Sequence, residues 1–154
     1  MTMKVARKIL IGLMVFGILM TYTGCKKKKG DPEPITDQQI EKLSKPWKVD
    51  AVMLDGVVRT TDFTNLTITF SGTKGTTSIA YTTLGTQPKP SPWASSGNFT
   101  FDTTTPETKL KRDDGVDVTY SVSETQLRMT FQYNGPGFGR VKAVKGPWDF
   151  TFKQ

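Results

Sequence analysis

From Trp47 onward the chain alternates apolar and polar residues one by one. Leu66, Ile68 and Phe70 are separated by Thr67 and Thr69. Val116, Val118, Tyr120 and Val122 alternate with Asp117, Thr119, Ser121 and Ser123. Leu127, Met129, Phe131 and Tyr133 alternate with Arg128, Thr130 and Gln132, and Trp148, Phe150 and Phe152 with Asp149, Thr151 and Lys153. Side chains of a strand point alternately to its two faces, so this pattern describes strands with one buried face. Shorter stretches of the same kind cover Val49–Leu54, Val57–Thr60, Thr76–Thr83, Asn98–Asp102 and Thr108–Arg112. The segments are rich in Thr, Val and aromatics, as strands prefer. They predict an all-β domain of about eight or nine strands. Asp55-Gly56 is a strong hairpin signal, Asp113-Asp114-Gly115 is a second, and Glu124 and Thr125 sit at the centre of a third. Short turns make an antiparallel up-and-down meander. Its apolar face must be buried, either by closing into a barrel or by folding into a β-sandwich.

One helix precedes the strands. Thr36–Ser44 places Ile40 and Leu43 on one face, Asp37 near the positive end of the helix dipole, and Pro46 beyond the last turn. Thr36 and Gln39 have the spacing of a capping box.

The N-terminus is a targeting segment. Lys4, Arg7 and Lys8 precede an uncharged run of 12 residues, Ile9 to Met20. A span of the bilayer needs about 20 apolar residues, so the run reads as the core of a secretory signal peptide. It ends in Thr23-Gly24-Cys25, which resembles the lipobox of bacterial lipoproteins. The resemblance implies cleavage before Cys25, acylation of its thiol and anchoring in a membrane. Lys26–Pro34 carries no apolar residue and two prolines, the composition of a solvated tether whose lysines can rest on anionic headgroups. The expected organisation is therefore a signal peptide over 1–24, a lipidated cysteine and tether over 25–35, and a β domain over 36–154. No acidic residue follows Cys25 until Asp31, which by the same resemblance places the protein in the outer membrane of the cell envelope, on its periplasmic side.

A short helix, a Trp opening the first strand and about eight meandering strands resemble a lipocalin-like domain. Leu43-Ser44-Lys45-Pro46-Trp47 and Gly146-Pro147-Trp148-Asp149-Phe150 are similar to the opening and closing motifs of the small lipocalin-like lipoproteins of Bacteroidetes. The resemblance implies a barrel rather than a sandwich, and it implies a late basic residue, Arg140 or Lys142, packed across Trp47. It supplies no activity, since a fold alone does not.

Several function classes are excluded by composition. Seven of the 21 basic residues lie within residues 1–29. Residues 30–154 hold 14 basic and 14 acidic residues, so the domain is neutral and lacks the basic patch that a nucleic-acid binder carries. The chain has no His, which removes the commonest general base and metal ligand. Cys25 is the sole cysteine, so no disulfide is available. No enzyme activity, cofactor or metal is expected. Two irregular segments remain as candidate binding regions. Trp93 lies in the Pro-rich stretch Gly85–Gly97, either as an aromatic platform for an apolar ligand or a sugar, or as a plug over one end of the core. Phe138 and Arg140 lie in the Gly-rich stretch Asn134–Pro147, where Arg140 suits an anionic group. Asp113 and Asp114 have the composition of a carboxylate pair, but their place before Gly115 reads as a turn. The expected function is a non-catalytic envelope lipoprotein whose barrel binds a small apolar or amphipathic ligand or a partner protein. The alternative is an accessory glycan-binding lipoprotein with a sandwich fold, with Trp93 and Phe138 stacking on sugars.

Overall fold

The computed structural model describes residues 32–135 and 144–154. Its elements are α1 (Ile35–Leu43), β1 (Pro46–Leu54), β2 (Val57–Val58), a 3-10 turn (Thr60–Phe63), β3 (Thr67–Ser71), β4 (Ser78–Leu84), β5 (Ser96–Phe101), β6 (Lys109–Arg112), β7 (Asp117–Val122), β8 (Gln126–Tyr133) and β9 (Gly146–Lys153). From β3 to β9 each strand pairs antiparallel with the next. β1 closes the sheet. Pro46, Trp47 and Lys48 pair with Thr69, Ile68 and Thr67 of β3, while the other edge of β1 runs along β9 from Lys48↔Lys153 to Leu54↔Trp148. The result is a closed eight-stranded antiparallel barrel of β1 and β3–β9, with β2 added to the far half of β1. A β-sandwich is excluded by the β1–β9 pairing. A register shift between Val49 and Ala51 bends β1 where it changes partners.

The alternation holds from β3 to β9; the bulge shifts it in β1, and both residues of β2 are exposed. Val118 and Tyr120 are buried, Val116 and Val122 half-buried, and Asp117, Thr119 and Ser121 exposed. Leu127, Met129 and Phe131 face them across the β7–β8 hairpin, in the register Val118↔Phe131, Tyr120↔Met129 and Val122↔Leu127. A one-residue slip would turn this whole set to solvent, so burial fixes the register. Asp55 and Gly56 both adopt positive φ, 50° and 75°, which is the primed turn that matches the twist of a two-residue hairpin.

The barrel has two unlike ends. At one, α1 lies across the opening with Ile40 and Leu43 buried. Trp47 ties the helix to the barrel, its Nε1 donating to the Leu43 carbonyl at 3.0 Å. Lys74, on the β3–β4 turn, bridges Glu33 and Glu41 at 2.7 Å each, and the Gly75 N–H donates to Asp37 Oδ1 at 2.6 Å. The capping box does not form. The helix begins at Ile35 with Pro34 as its N-cap and no side-chain cap, so Thr36 already lies inside the first turn, and Gln39 is buried. The other end, here called the mouth, collects the β1–β2 hairpin, the long β4–β5 connection, the Asp113–Gly115 turn, the end of β8 and the start of β9.

The interior is filled with side chains. Phe63, Phe99, Trp148, Phe150 and Phe152 are each no more than 1% exposed, and neighbouring ring centroids lie 4.9–6.4 Å apart. Trp47→Ala and Trp148→Ala should each lower the unfolding free energy by about 3–5 kcal/mol, the usual cost of truncating a buried aromatic. Urea denaturation of the two variants against the parent measures it.

Candidate functional site

The mouth is where polar chemistry meets the aromatic core. β6 reads Lys109-Leu110-Lys111-Arg112, and strand parity turns Leu110 and Arg112 inward together. The Arg112 side chain is 2% exposed. Its Nε and Nη2 donate to the two carboxylate oxygens of Asp114 at 2.9 and 2.7 Å, a bidentate pair. Nη1 donates to the Pro92 carbonyl at 2.9 Å. The guanidinium lies over the rings of Phe131, Trp93 and Tyr133, at 5.3, 5.4 and 5.9 Å from their centroids. A weakly hydrated planar cation suits such a slot, and each aromatic face adds about 0.5–2 kcal/mol of cation–π attraction.

Trp93 is inside, not on the surface. It is 3% exposed, and its ring stands nearly perpendicular to Phe131, Phe150, Tyr81 and Phe99, at centroid distances of 5.2, 5.5, 5.8 and 6.4 Å. Of the two readings of Trp93, the exposed aromatic platform gives way to the plug: the β4–β5 connection folds back and covers the core at the mouth with this ring. A glycan reading loses Trp93 as a stacking residue. The loop is held by a chain of polar side chains. Ser91 Oγ donates to Gln87 Oε1 at 2.6 Å, Gln87 Nε2 donates to Thr83 Oγ1 at 3.0 Å, Thr83 Oγ1 donates to the Ala94 carbonyl at 3.0 Å, and the Trp93 N–H donates to Ser91 Oγ at 3.1 Å. Tyr81 forms another wall of the mouth, and burial pushes its phenol up to about 12, so it stays neutral. Its ring crosses over Gly97 on β5, where an added Cβ would come within 2.8 Å of the Tyr81 ring.

Beside the Arg112–Asp114 pair a cleft of about 540 Å³ opens, lined by Asp114, Val116, Asp117, Gln132, Tyr133 and Asn134. Asp113 and Asp114 do not act together. Asp113 Oδ2 accepts the Asn98 N–H at 2.8 Å, while Asp114 faces Arg112. Each is committed to the turn region, which leaves no shared carboxylate site. The guanidinium beside Asp114 holds its carboxyl below the usual carboxylate range, against the upward push of partial burial.

Phe138, Arg140 and Cys25 lie outside the described residues. So does Lys142; among the described residues Lys45 Nζ sits over the Trp47 ring, 4.9 Å from its centroid. Arg112 is the residue that the sequence reading passed over. Its signal was parity, since it shares the inward positions of β6 with Leu110.

No protein-family model, curated protein or solved structure matches this chain.

Two expectations follow from the mouth. Trp93→Ala should destabilise by about 3–5 kcal/mol, as much as the other buried tryptophans, because its ring is core. Thermal or urea unfolding of the three tryptophan variants side by side tests this, and a Trp93 variant as stable as the parent would place the ring outside the core. Asp114 has a folded-state pKa below its unfolded value of about 3.9. Its stabilisation is therefore fully present above that value and is lost as pH falls through the folded-state value. Between pH 5 and pH 2, Asp114→Asn should show a shallower decline of the unfolding midpoint than the parent, and equal slopes would remove the ion pair from the stability of the mouth.

Proposed function

We propose that this protein is a non-catalytic lipoprotein of the cell envelope, anchored through acylated Cys25, whose barrel binds a small amphipathic molecule at its mouth. One observation carries the reading: a buried guanidinium, Arg112, set among aromatic rings beneath the β4–β5 connection. Ligand sites combine apolar walls with a few placed polar groups, and this is the one place among the described residues where a buried charge meets such walls. At the opposite end Lys74 ties Glu33 and Glu41 together. Packing supports one further reading. The lumen below Trp93 is occupied by interlocking rings, so a partner protein that reads the outer surface of the mouth is the second candidate.

The anchor rests on Thr23-Gly24-Cys25 and the apolar run before it. Two acyl chains are what make membrane attachment stable. Native mass spectrometry of the protein extracted from membranes should show a diacylglycerol-type mass on Cys25 and a small molecule bound without a covalent link. Cys25→Ala should leave the protein uncleaved or soluble. A Cys25→Ala protein that stays fully membrane-bound, from a parent that carries no lipid mass, would overturn the anchor. A parent that releases no small molecule would favour the partner protein over the ligand. Protease treatment of intact cells distinguishes the periplasmic side of the outer membrane, which the tether favours, from the cell surface.

A further inference from the structure

We infer that Trp93 is an exchangeable plug, standing in the site of a small anionic amphiphile whose carboxylate is received by Arg112. The inference deepens the reading of the mouth as a ligand site and rests on it. Three observations carry it.

The first is an orphan donor. The two other indoles satisfy their N–H groups inside the core, Trp47 on the Leu43 carbonyl at 3.0 Å and Trp148 on the Val144 carbonyl at 2.9 Å. Trp93 Nε1 is buried and has no partner among the described residues. A buried N–H without a partner penalises the state that holds it there. The closed mouth therefore carries a cost that withdrawal of the ring relieves.

The second is the way the plug is held. Among the described residues no backbone–backbone hydrogen bond involves residues 87–94. Pro88, Pro90 and Pro92 have no N–H to lose. The attachments are the side-chain bonds of Thr83, Gln87 and Ser91 and the Arg112–Pro92 contact. A segment without backbone pairing opens locally at far lower cost than the strands that flank it.

The third is what the ring leaves behind. Its slot is walled by Tyr81, Phe99, Phe131 and Phe150, an apolar surface the size of one indole. On its edge, Arg112 Nη1 loses the Pro92 carbonyl when the loop lifts. A buried guanidinium donor then needs an oxygen acceptor, and a carboxylate answers both its hydrogen bond and its charge. Asp114 occupies only the Nε–Nη2 edge, and being half exposed it can yield. An apolar body of indole size with one carboxylate matches this slot. A longer apolar chain does not, because the core below stays packed.

The test is titration of the protein with octanoate below its micelle concentration, read by tryptophan emission, with 1-octanol as the uncharged comparator. Octanoate should shift the emission to the red as Trp93 enters water, and Trp93→Phe should abolish the shift. Octanoate should bind at least tenfold tighter than 1-octanol. Asp114→Asn, at a half-exposed position, should tighten octanoate at least threefold by freeing Arg112, and Trp93→Ala should tighten it at least tenfold by removing the plug. No red shift in the parent overturns the proposal. So does equal binding of octanol, or binding confined to Trp93→Ala, which would be an engineered cavity only. If a small molecule co-purifies with the parent but octanoate leaves Trp93 in place, the plug fails while the binding function stands.

Discussion

The fold depends on β1 serving two strands on one edge while it closes the barrel on the other. Its first three residues pair with β3, its last two with β2, and its opposite edge runs the length of β9. Without the β1–β9 ladder the sheet would present two open edges and an uncovered apolar face. With it, the inward residues of the eight strands meet in one core, and the outward residues are left to water. The bulge between Val49 and Ala51 supplies the bend this requires.

Closure also decides the character of the two ends. A barrel this small is filled by its own side chains, so each end needs a lid rather than a lining. The helix end is covered by α1, through Ile40, Leu43 and the Trp47 indole. The mouth is covered differently. There the β4–β5 connection supplies Trp93, and β6 supplies Arg112 to hold the loop through the Pro92 carbonyl. Burying a guanidinium is costly unless its donors are met. Three of its N–H groups are met, two by Asp114 and one by Pro92, and its faces lie on three rings. Removing any one of these partners leaves a buried charge short of an acceptor. That makes the mouth more sensitive to substitution than the rest of the surface.

The outer surface shows a different solution on each side. On β1, β8 and β9 opposite charges are paired across strands, as in Arg128 with Asp149 and Lys153 with Asp50. On β3, β4 and β5 the outward positions are Thr67, Thr69, Ser71, Ser78, Ala80, Thr82, Leu84, Ser96, Asn98 and Thr100, without a charge. Exposed ion pairs add only about 0–1 kcal/mol each. The barrel is therefore held by its core and its ladders, and neither side of the surface sets its stability.

The alternation of apolar and polar residues determined by itself that the chain would form strands, which side of each would be buried, and where the short hairpins would turn, because side-chain direction in a strand is local geometry. Asp55-Gly56 turned as its residue types required. The helix was legible as well, though not its cap, since the N-cap is Pro34, two residues before the Thr36 that a capping box needs. Closure was not legible, because strands of either a barrel or a sandwich carry the same alternation. Only the pairing of β1 with β9, residues about a hundred positions apart, decided it. The place of Trp93 was not legible either. A Pro-rich segment has no period to report which way its ring points, and the ring went inward because the mouth of a closed barrel leaves apolar surface to be covered. Arg112 was visible as an inward position on β6, but a lone charge at such a position has meaning only once Asp114, Pro92 and three aromatic rings are seen to surround it, and tertiary structure alone brings those together.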